Sequence, residues 1–291
     1  MATLRDILRK IGAVKKTRQI TRAMNMVAAA KLRGAQQKME DFRPYADKFN
    51  HAMSNLAGNM ESGQFPLMEV RDVQTVELVI VTSDRGLCGS FNSNIFKLAE
   101  KLIKEYEAAG KKVTLVCVGK KGNAYFKKRA TVRKAYTNIM SSFQMFNARA
   151  IAQDVAANFL AGEADKVHVL YGKFISVASQ KPEAEVLLPV QPEVAEGGAE
   201  AAAVAGDYIY EPSPAEIMDV LLPLYMNVMI YHGMLETGAS EHAARMTAMD
   251  NATRACKDMI ADLTLLYNKA RQAGITAELM DIVGGAEALK G

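Results

Sequence analysis

The 291-residue chain is poor in the residues that interrupt or staple a fold: it has no tryptophan, eight prolines and three cysteines. Proline falls below its usual share of about 5%, so few positions forbid helix. Cys88, Cys117 and Cys256 form no CxxC pair. An odd, scattered set excludes a disulfide framework or a zinc ribbon and suits a reducing compartment. The four histidines, His51, His168, His232 and His242, share no metal-ligand spacing with acidic neighbours, so no metal and no cofactor is expected. No Ser/His/Asp set announces a catalytic site. The chain starts with Arg5, Asp6, Arg9 and Lys10 rather than an apolar core segment, so no secretory signal is expected. Its one long apolar stretch, 217–235, contains Asp219, Pro223, Asn227 and His232 and is not expected to span a membrane.

What the chain does have is helix formers: 44 alanines and 17 methionines. Apolar residues return with alternating steps of three and four from Leu4 through Ile7, Ile11 and Val14, and again from Ala28 to Leu56. Between these runs the same positions hold Arg18, Thr21 and Asn25. This is the a/d seam of a coiled coil. At about 1.5 Å per residue, a helix over residues 1–60 is too long to pack inside one small globule. Ser213-Pro214-Ala215-Glu216 reads as the start of a second such helix, with a serine cap, proline in the first turn and glutamate three residues on. Its seam runs from Ile217 through Gly238, His242 and Arg245 to Met249, Ala252, Cys256, Met259, Leu263, Leu266 and Ala270. Gly284-Gly285 is the expected stop, giving 213–285. Two heptad helices at opposite ends of the sequence predict an antiparallel coiled coil, with 18–25 opposite 238–245 and residues beyond about 271 unpaired.

Residues 74–192 have another texture. Expected strands at 76–82, 113–118 and 167–171 alternate with expected helices at 92–108, 120–128 and 143–160; 173–178 and 185–190 suggest a closing pair. This order predicts a small α/β, Rossmann-like domain with a largely parallel sheet. Residues 193–206, Ala/Gly/Glu-rich, read as a linker within a 193–210 segment.

The loop Ser83–Asn92 follows a strand and precedes a helix, where α/β folds bind phosphates. It has no GxGxxG and no GxxxxGK[ST], so a tight turn using Gly86 and Gly89 is the expectation. Cys88 has no histidine near it in sequence to activate it. The charge is uneven: residues 1–38 carry ten Lys/Arg against Asp6, so the remainder sums to −5 of a total of +4. A basic stripe of this kind fits nucleic acid, a solvated face or a rod inside an acidic sleeve. No aromatic precedes Phe42, so base stacking is unsupported.

Four runs carry a resemblance: KKTRQITRAMNMVAAAKLRGAQ (15–36), TSDRGLCGSFNSN (82–94), DYIYEPSP (207–214) and EHAARMTAMDNATRACKDMIADLTLLYNKARQAGITAELMDIVGGAEAL (241–289). In this order they resemble the gamma subunit of bacterial F-type ATP synthases across the whole chain. The resemblance implies a central-stalk rotor that couples ion-driven rotation of the c-ring to cycling of the catalytic beta subunits. It implies no catalytic site in this chain, alpha, beta and epsilon subunits and the c-ring as partners, no nucleic acid, and a peripheral place on the cytoplasmic face of the inner membrane. The alternative is a basic coiled-coil scaffold or nucleic-acid-binding protein. By motif, Arg271, Gln272 and Thr276 resemble contacts to the beta subunit's catch loop. Met24 and Arg245 resemble a mid-coil pair facing each other and the beta subunit's moving loop. Tyr208, Tyr210 and Glu211 resemble part of the foot that meets epsilon and the c-ring.

Overall fold

The computed structural model describes residues 3–57, 65–191 and 213–289. The chain divides into two compact units, one from residues 29–245 and one from the residues before 29 and after 245. Helix α1 (Leu4–Ala57) and helix α5 (Pro214–Ala288) each contribute a segment to both. Asp6 and Thr3 exchange side-chain and backbone bonds at the start of α1. Ser213 and Glu216 do the same at the start of α5, the cap its sequence predicts. Pro44 and Pro223 lie inside these helices and end neither. The expected stop at Gly284-Gly285 is wrong: α5 continues through both glycines to Ala288.

In the unit 29–245 a five-stranded sheet has the order β3-β2-β1-β4-β5. The strands are β1 (Thr75–Val81), β2 (Lys112–Val118), β3 (Val132–Tyr136), β4 (Lys166–Phe174) and β5 (Gln180–Leu188). The first four are parallel, and β5 returns antiparallel on β4. Helices α2 (Phe91–Ala108), α3 (Lys120–Phe126) and α4 (Met145–Leu160) connect them. Val76, Leu78 and Ile80 of β1 face a core made by α2 and α3. Val79 and Val81 face the other side, where Ile151, Val155 and Phe159 of α4 meet Met218, Leu222, Met226 and Ile230 of α5. With helices on both faces, the central strand reads as a continuous apolar run, which is why it was legible. The apolar stretch of α5, long and apolar enough by composition to cross a membrane, here contributes Met218, Leu222, Met226 and Ile230 to the core against the sheet.

Two sheet expectations need correction. β3 was not expected; Val132-Arg-Lys-Ala-Tyr136 is a half-exposed edge strand whose composition does not alternate cleanly. The expected strand at 167–171 runs on through Gly172 and ends at Phe174, and residues 175–179, most of the expected 173–178 strand, form the turn into β5. That glycine looks like a break, but a Cβ there would lie 2.4 Å from the Phe91 ring, so its absence is a packing requirement.

In the other unit, α1 before residue 29 pairs antiparallel with the part of α5 that follows residue 245, and α5 from Arg271 on is exposed except at Gly274. Asn25 donates to the Met246 carbonyl at 2.8 Å, and the Thr253 and Thr21 hydroxyls meet at 2.8 Å. Ile7, Ile11, Thr21 and Ala28 are buried as the α1 seam predicts, while Leu4 and Arg18 are exposed.

Candidate partner-binding surfaces

Between β1 and β4 the chain's direction of travel across the sheet reverses, the place where open α/β sheets hold ligands. Here the molecule fills it with itself. β4 runs past its pairing with β1, which ends at Leu170. Beyond that point α5 supplies the missing partners. The Gly172 amide donates to the Thr237 hydroxyl at 3.3 Å, the Ser240 hydroxyl donates to the Gly172 carbonyl at 2.8 Å, and the Phe174 amide donates to the Glu236 carboxylate at 2.7 Å. Glu236 is fully buried and also accepts from Arg43 at 2.8 and 3.0 Å. Backbone amides that could hold a phosphate are also taken. The Asp84 carboxylate accepts from the amides of Lys120, Asn138 and Met140 at 2.8–2.9 Å. A built-in anion thus sits where a bound one would.

The loop after β1 is held from below. Ser83 donates from its hydroxyl to the Arg85 carbonyl at 2.6 Å and from its amide to Asn92 at 3.1 Å. Arg245 of α5 donates to the Gly86 carbonyl at 3.1 and 3.3 Å, and to Glu241. Gly89 takes a positive φ of 57°, as expected, but Gly86 does not; Leu87 takes it instead, at 62°. Leu87 is 62% exposed, and the exposed Arg85 side chain has no bonding partner among the described residues. Cys88 is buried beside Asn92, and burial raises its thiol pKa, so it is a poor nucleophile.

Arg245 itself is buried, with its donors turned to its own domain, and Met24 is half-buried in the other unit between Thr21 and Ala28. The expected register of 18–25 against 238–245 is therefore wrong. Residues 21 and 25 meet Thr253 and Met246, while Gly238, Ser240 and Arg245 serve the α/β domain. The polar character of 238–245 is real; it belongs to a sheet-facing surface and not to a coil seam. Further along α5, Ile260 and Tyr267 are half-buried while Met259 and Leu266 are exposed, one step from the expected seam.

Arg271, Gln272 and Thr276 are exposed, and Thr276 returns its hydroxyl to the Gln272 carbonyl at 3.0 Å. Around them Ile275, Leu279, Met280, Ile282 and Val283 are also exposed, more apolar surface than the small-residue pattern Ala270, Ala273, Gly274 suggests. Most of the basic residues between Arg5 and Lys38 are exposed as well. Tyr208, Tyr210, Glu211 and the segment 193–206 lie outside the described residues. The sequence reading missed Arg85, Leu87, Glu236 and Glu241; the conformation at Leu87 and the burial of the two carboxylates have no sequence signal.

Comparison with known proteins agrees with this geometry. A family model described as ATP synthase matches residues 3–289. The chain is 63% identical over 290 residues to the ATP synthase gamma chain of Desulfotalea psychrophila and 54% identical over 293 residues to that of Nitratidesulfovibrio vulgaris, covering all of each. Among solved structures it is similar to a chain of the Tetrahymena thermophila mitochondrial ATP synthase central stalk/c-ring, with TM-score 0.60, 28% identity, and 80% of this chain and 99% of that one covered. A chain of the Euglena gracilis mitochondrial ATP synthase shares the fold at TM-score 0.72 and 22% identity, covering 98% and 94%. With its full length aligned to such relatives, the chain belongs to the ATP synthase gamma-chain family.

Proposed function

We propose that this chain is the central-stalk rotor subunit of a bacterial F-type ATP synthase, coupling ion-driven rotation of a c-ring to the catalytic cycle of beta subunits. The observation that carries the reading beyond family membership is the closed switch-point crevice. A domain whose ligand cleft is filled by its own helix, and whose amides are occupied by Asp84, acts through surfaces and not through a bound substrate. The chain has no catalytic site of its own, holds no cofactor and works as a peripheral subunit on the cytoplasmic face of the membrane.

The contact surfaces are assigned by exposure and chemistry. Arg271 and Gln272 present a planar cation and an amide on an exposed helix face that no side chain among the described residues covers. They engage the beta subunit, with Thr276 and the exposed apolar residues beside them. Met24 and the basic face of residues 5–38 face the surrounding ring. The 83–90 loop offers Arg85 and Leu87 in a fixed, strained conformation, which suits a recognition tip. Tyr208, Tyr210 and Glu211 form part of the foot toward epsilon and the c-ring.

Pull-down by the purified chain tests this against the nucleic-acid reading. The expected result is capture of alpha, beta and epsilon subunits, with ATP binding by the isolated chain no tighter than millimolar. Salt-steep binding of DNA or RNA without capture of those subunits would reverse the reading.

A further inference from the structure

We propose that Arg245, buttressed by Glu241, is a positioning residue that fixes the 83–90 loop and the outward set of Arg85 and Leu87, and is not itself a contact to a partner subunit. The inference rests on the reading of that loop as a recognition tip. Arg245 is only 8% exposed. Its Nε and Nη2 donate to the Gly86 carbonyl, Nη2 also reaches Glu241 at 2.5 Å and the Arg85 carbonyl at 3.5 Å, and Nη1 faces His242 Nδ1 at 3.4 Å. A group with its fork so engaged has little left to offer a partner.

The loop, in turn, needs an anchor. Its carbonyls at Arg85 and Gly86 are outside the strand ladders, and a left-handed conformation at a leucine persists only where the surroundings impose it. The start of the loop is held at Ser83 by Asn92 and the Lys121 amide and at Asp84 by the amides of Lys120, Asn138 and Met140, whereas the Gly86 carbonyl is held by Arg245. Glu241 completes the device: without it Arg245 would be a lone buried cation, and without Arg245 the carboxylate would be a lone buried anion. Burial also holds His242 near pKa 4, so at neutral pH its free ring nitrogen can accept from Arg245 and does not repel it. Lysine could not replace this fork, because its single ammonium cannot reach two loop carbonyls and Glu241 in one plane.

Cys88 reports on the loop, since it is 2% exposed under it, and Cys117 in β2, fully buried, reports on the whole domain. The test uses the full chain with Arg245→Lys and, as the milder change, Glu241→Gln. Thiol labelling is read by site-resolved mass spectrometry. The expected result is Cys88 labelling about tenfold faster in both variants, the local opening expected on losing a charge-assisted bond, with Cys117 protected. In the assembled complex, Arg85→Ala and Arg245→Lys are expected to lower ATP turnover non-additively, because one acts through the other. Unchanged Cys88 labelling, or additive losses of turnover, would overturn the assignment. So would Cys117 labelling in both variants, which would make the pair a support for the whole domain. If Arg85→Ala leaves turnover intact while Cys88 is released, positioning stands and the loop's role toward a partner is what fails.

Discussion

Between Asn227 and Glu241 nearly every side chain of α5 is buried, whereas from Arg271 to Leu289 only Gly274 is even half-buried. One helix thus holds two regimes. In the first, α5 is packed on two sides. Tyr231 meets Phe42 of α1 at 5.0 Å and Phe143 of the α/β domain at 5.9 Å, and Tyr171 of β4 lies 3.5 Å from where a Cβ at Gly233 would be. In the second, no described residue of the chain covers it, though Leu279, Met280 and Ile282 would bury favourably. The difference teaches that the first stretch determines the fold, while the second leaves its apolar and basic groups exposed, as the proposed contact with another subunit requires.

The widest gap between the regimes is expected at their carboxylates. Glu236→Ala removes the acceptor for Arg43 and for the Phe174 amide in a fully buried position. It should cost about 3–5 kcal/mol, the range for breaking a buried pair. Glu278→Ala, on the exposed stretch, should stay within about 0.5 kcal/mol. Urea unfolding of both variants checks this; similar midpoints would mean that the burial contrast has no energetic meaning.

Acid should act on the histidines that burial keeps neutral. His168, bonded to Tyr106 at 2.7 Å, and His242 are both held near pKa 4, first by burial and then by neighbouring cations. In the unfolded chain each takes up a proton near pH 6.5, so their contribution is full above that value and declines as pH falls toward 4. At pH 5 each should cost the fold about 2 kcal/mol. Glu77 and Glu241, whose carboxyls burial holds above their usual range, work in the opposite sense. The clean measurement is therefore a difference: His168→Gln should flatten the fall in urea midpoint between pH 7 and 5. An unchanged slope would show that this histidine titrates normally in the fold.

The legible parts of the chain were those whose burial follows one simple rule, a single buried stripe on a helix or a strand covered on both faces. The α1 seam was read almost residue for residue, and β1 and β2 stood out as apolar runs because helices cover both sides of the sheet. Where a segment is packed on two sides, periodicity vanishes: 238–245 looked like a polar coil seam because Gly238, Ser240 and Arg245 answer to the sheet and its loops. The expected seam misplaced Met259 for Ile260 and Leu266 for Tyr267 because the steps of three and four alternate in the opposite order, through Met249, Thr253, Cys256, Ile260, Leu263, Tyr267 and Ala270, and neighbouring apolar residues fit either order. Of the contact residues, Arg271 and Gln272 were legible through the family resemblance. The Leu87 conformation and the anchoring by Arg245 depend on residues about 160 positions apart and have no local signature.

The exposed regime should reverse the pattern of the buried one, with function changing while stability does not. Arg271→Ala with Gln272→Ala should leave the unfolding midpoint of the isolated chain unchanged, since neither side chain is buried. In the assembled complex the pair is expected to lower ATP turnover about tenfold, less than the full worth of two charge-assisted bonds because each contact is broken and remade in every passage. Steady-state ATP hydrolysis at matched assembly measures it. Wild-type turnover would leave this end of α5 as a plain bearing.

The smallest effect is expected where the two helices of the second unit meet. The Thr253 hydroxyl touches the Thr21 hydroxyl at 2.8 Å and returns to the Met249 carbonyl at 2.7 Å, and Thr21 also reaches the Arg18 carbonyl at 3.1 Å. Each hydroxyl can therefore satisfy itself within its own helix, and the cross-helix bond is surplus to solvation. Thr253→Val should cost only about 1 kcal/mol, the usual net worth of one hydrogen bond, because Thr21 is left with a partner. Replacing both with valine should recover that loss or exceed it, since two methyl groups pack in a seam as well as two hydroxyls. The interest lies in register. A polar pair at matched positions opposes slippage of one helix along the other, which an all-apolar seam tolerates. Cross-linking of cysteines placed at Asn25 and Met246 should give one product in the wild-type background and a broader set in the double valine variant. A single product in both would make the threonine pair seam filling only, and would show that register also survives loss of the Asn25 side chain, which is replaced in both backgrounds.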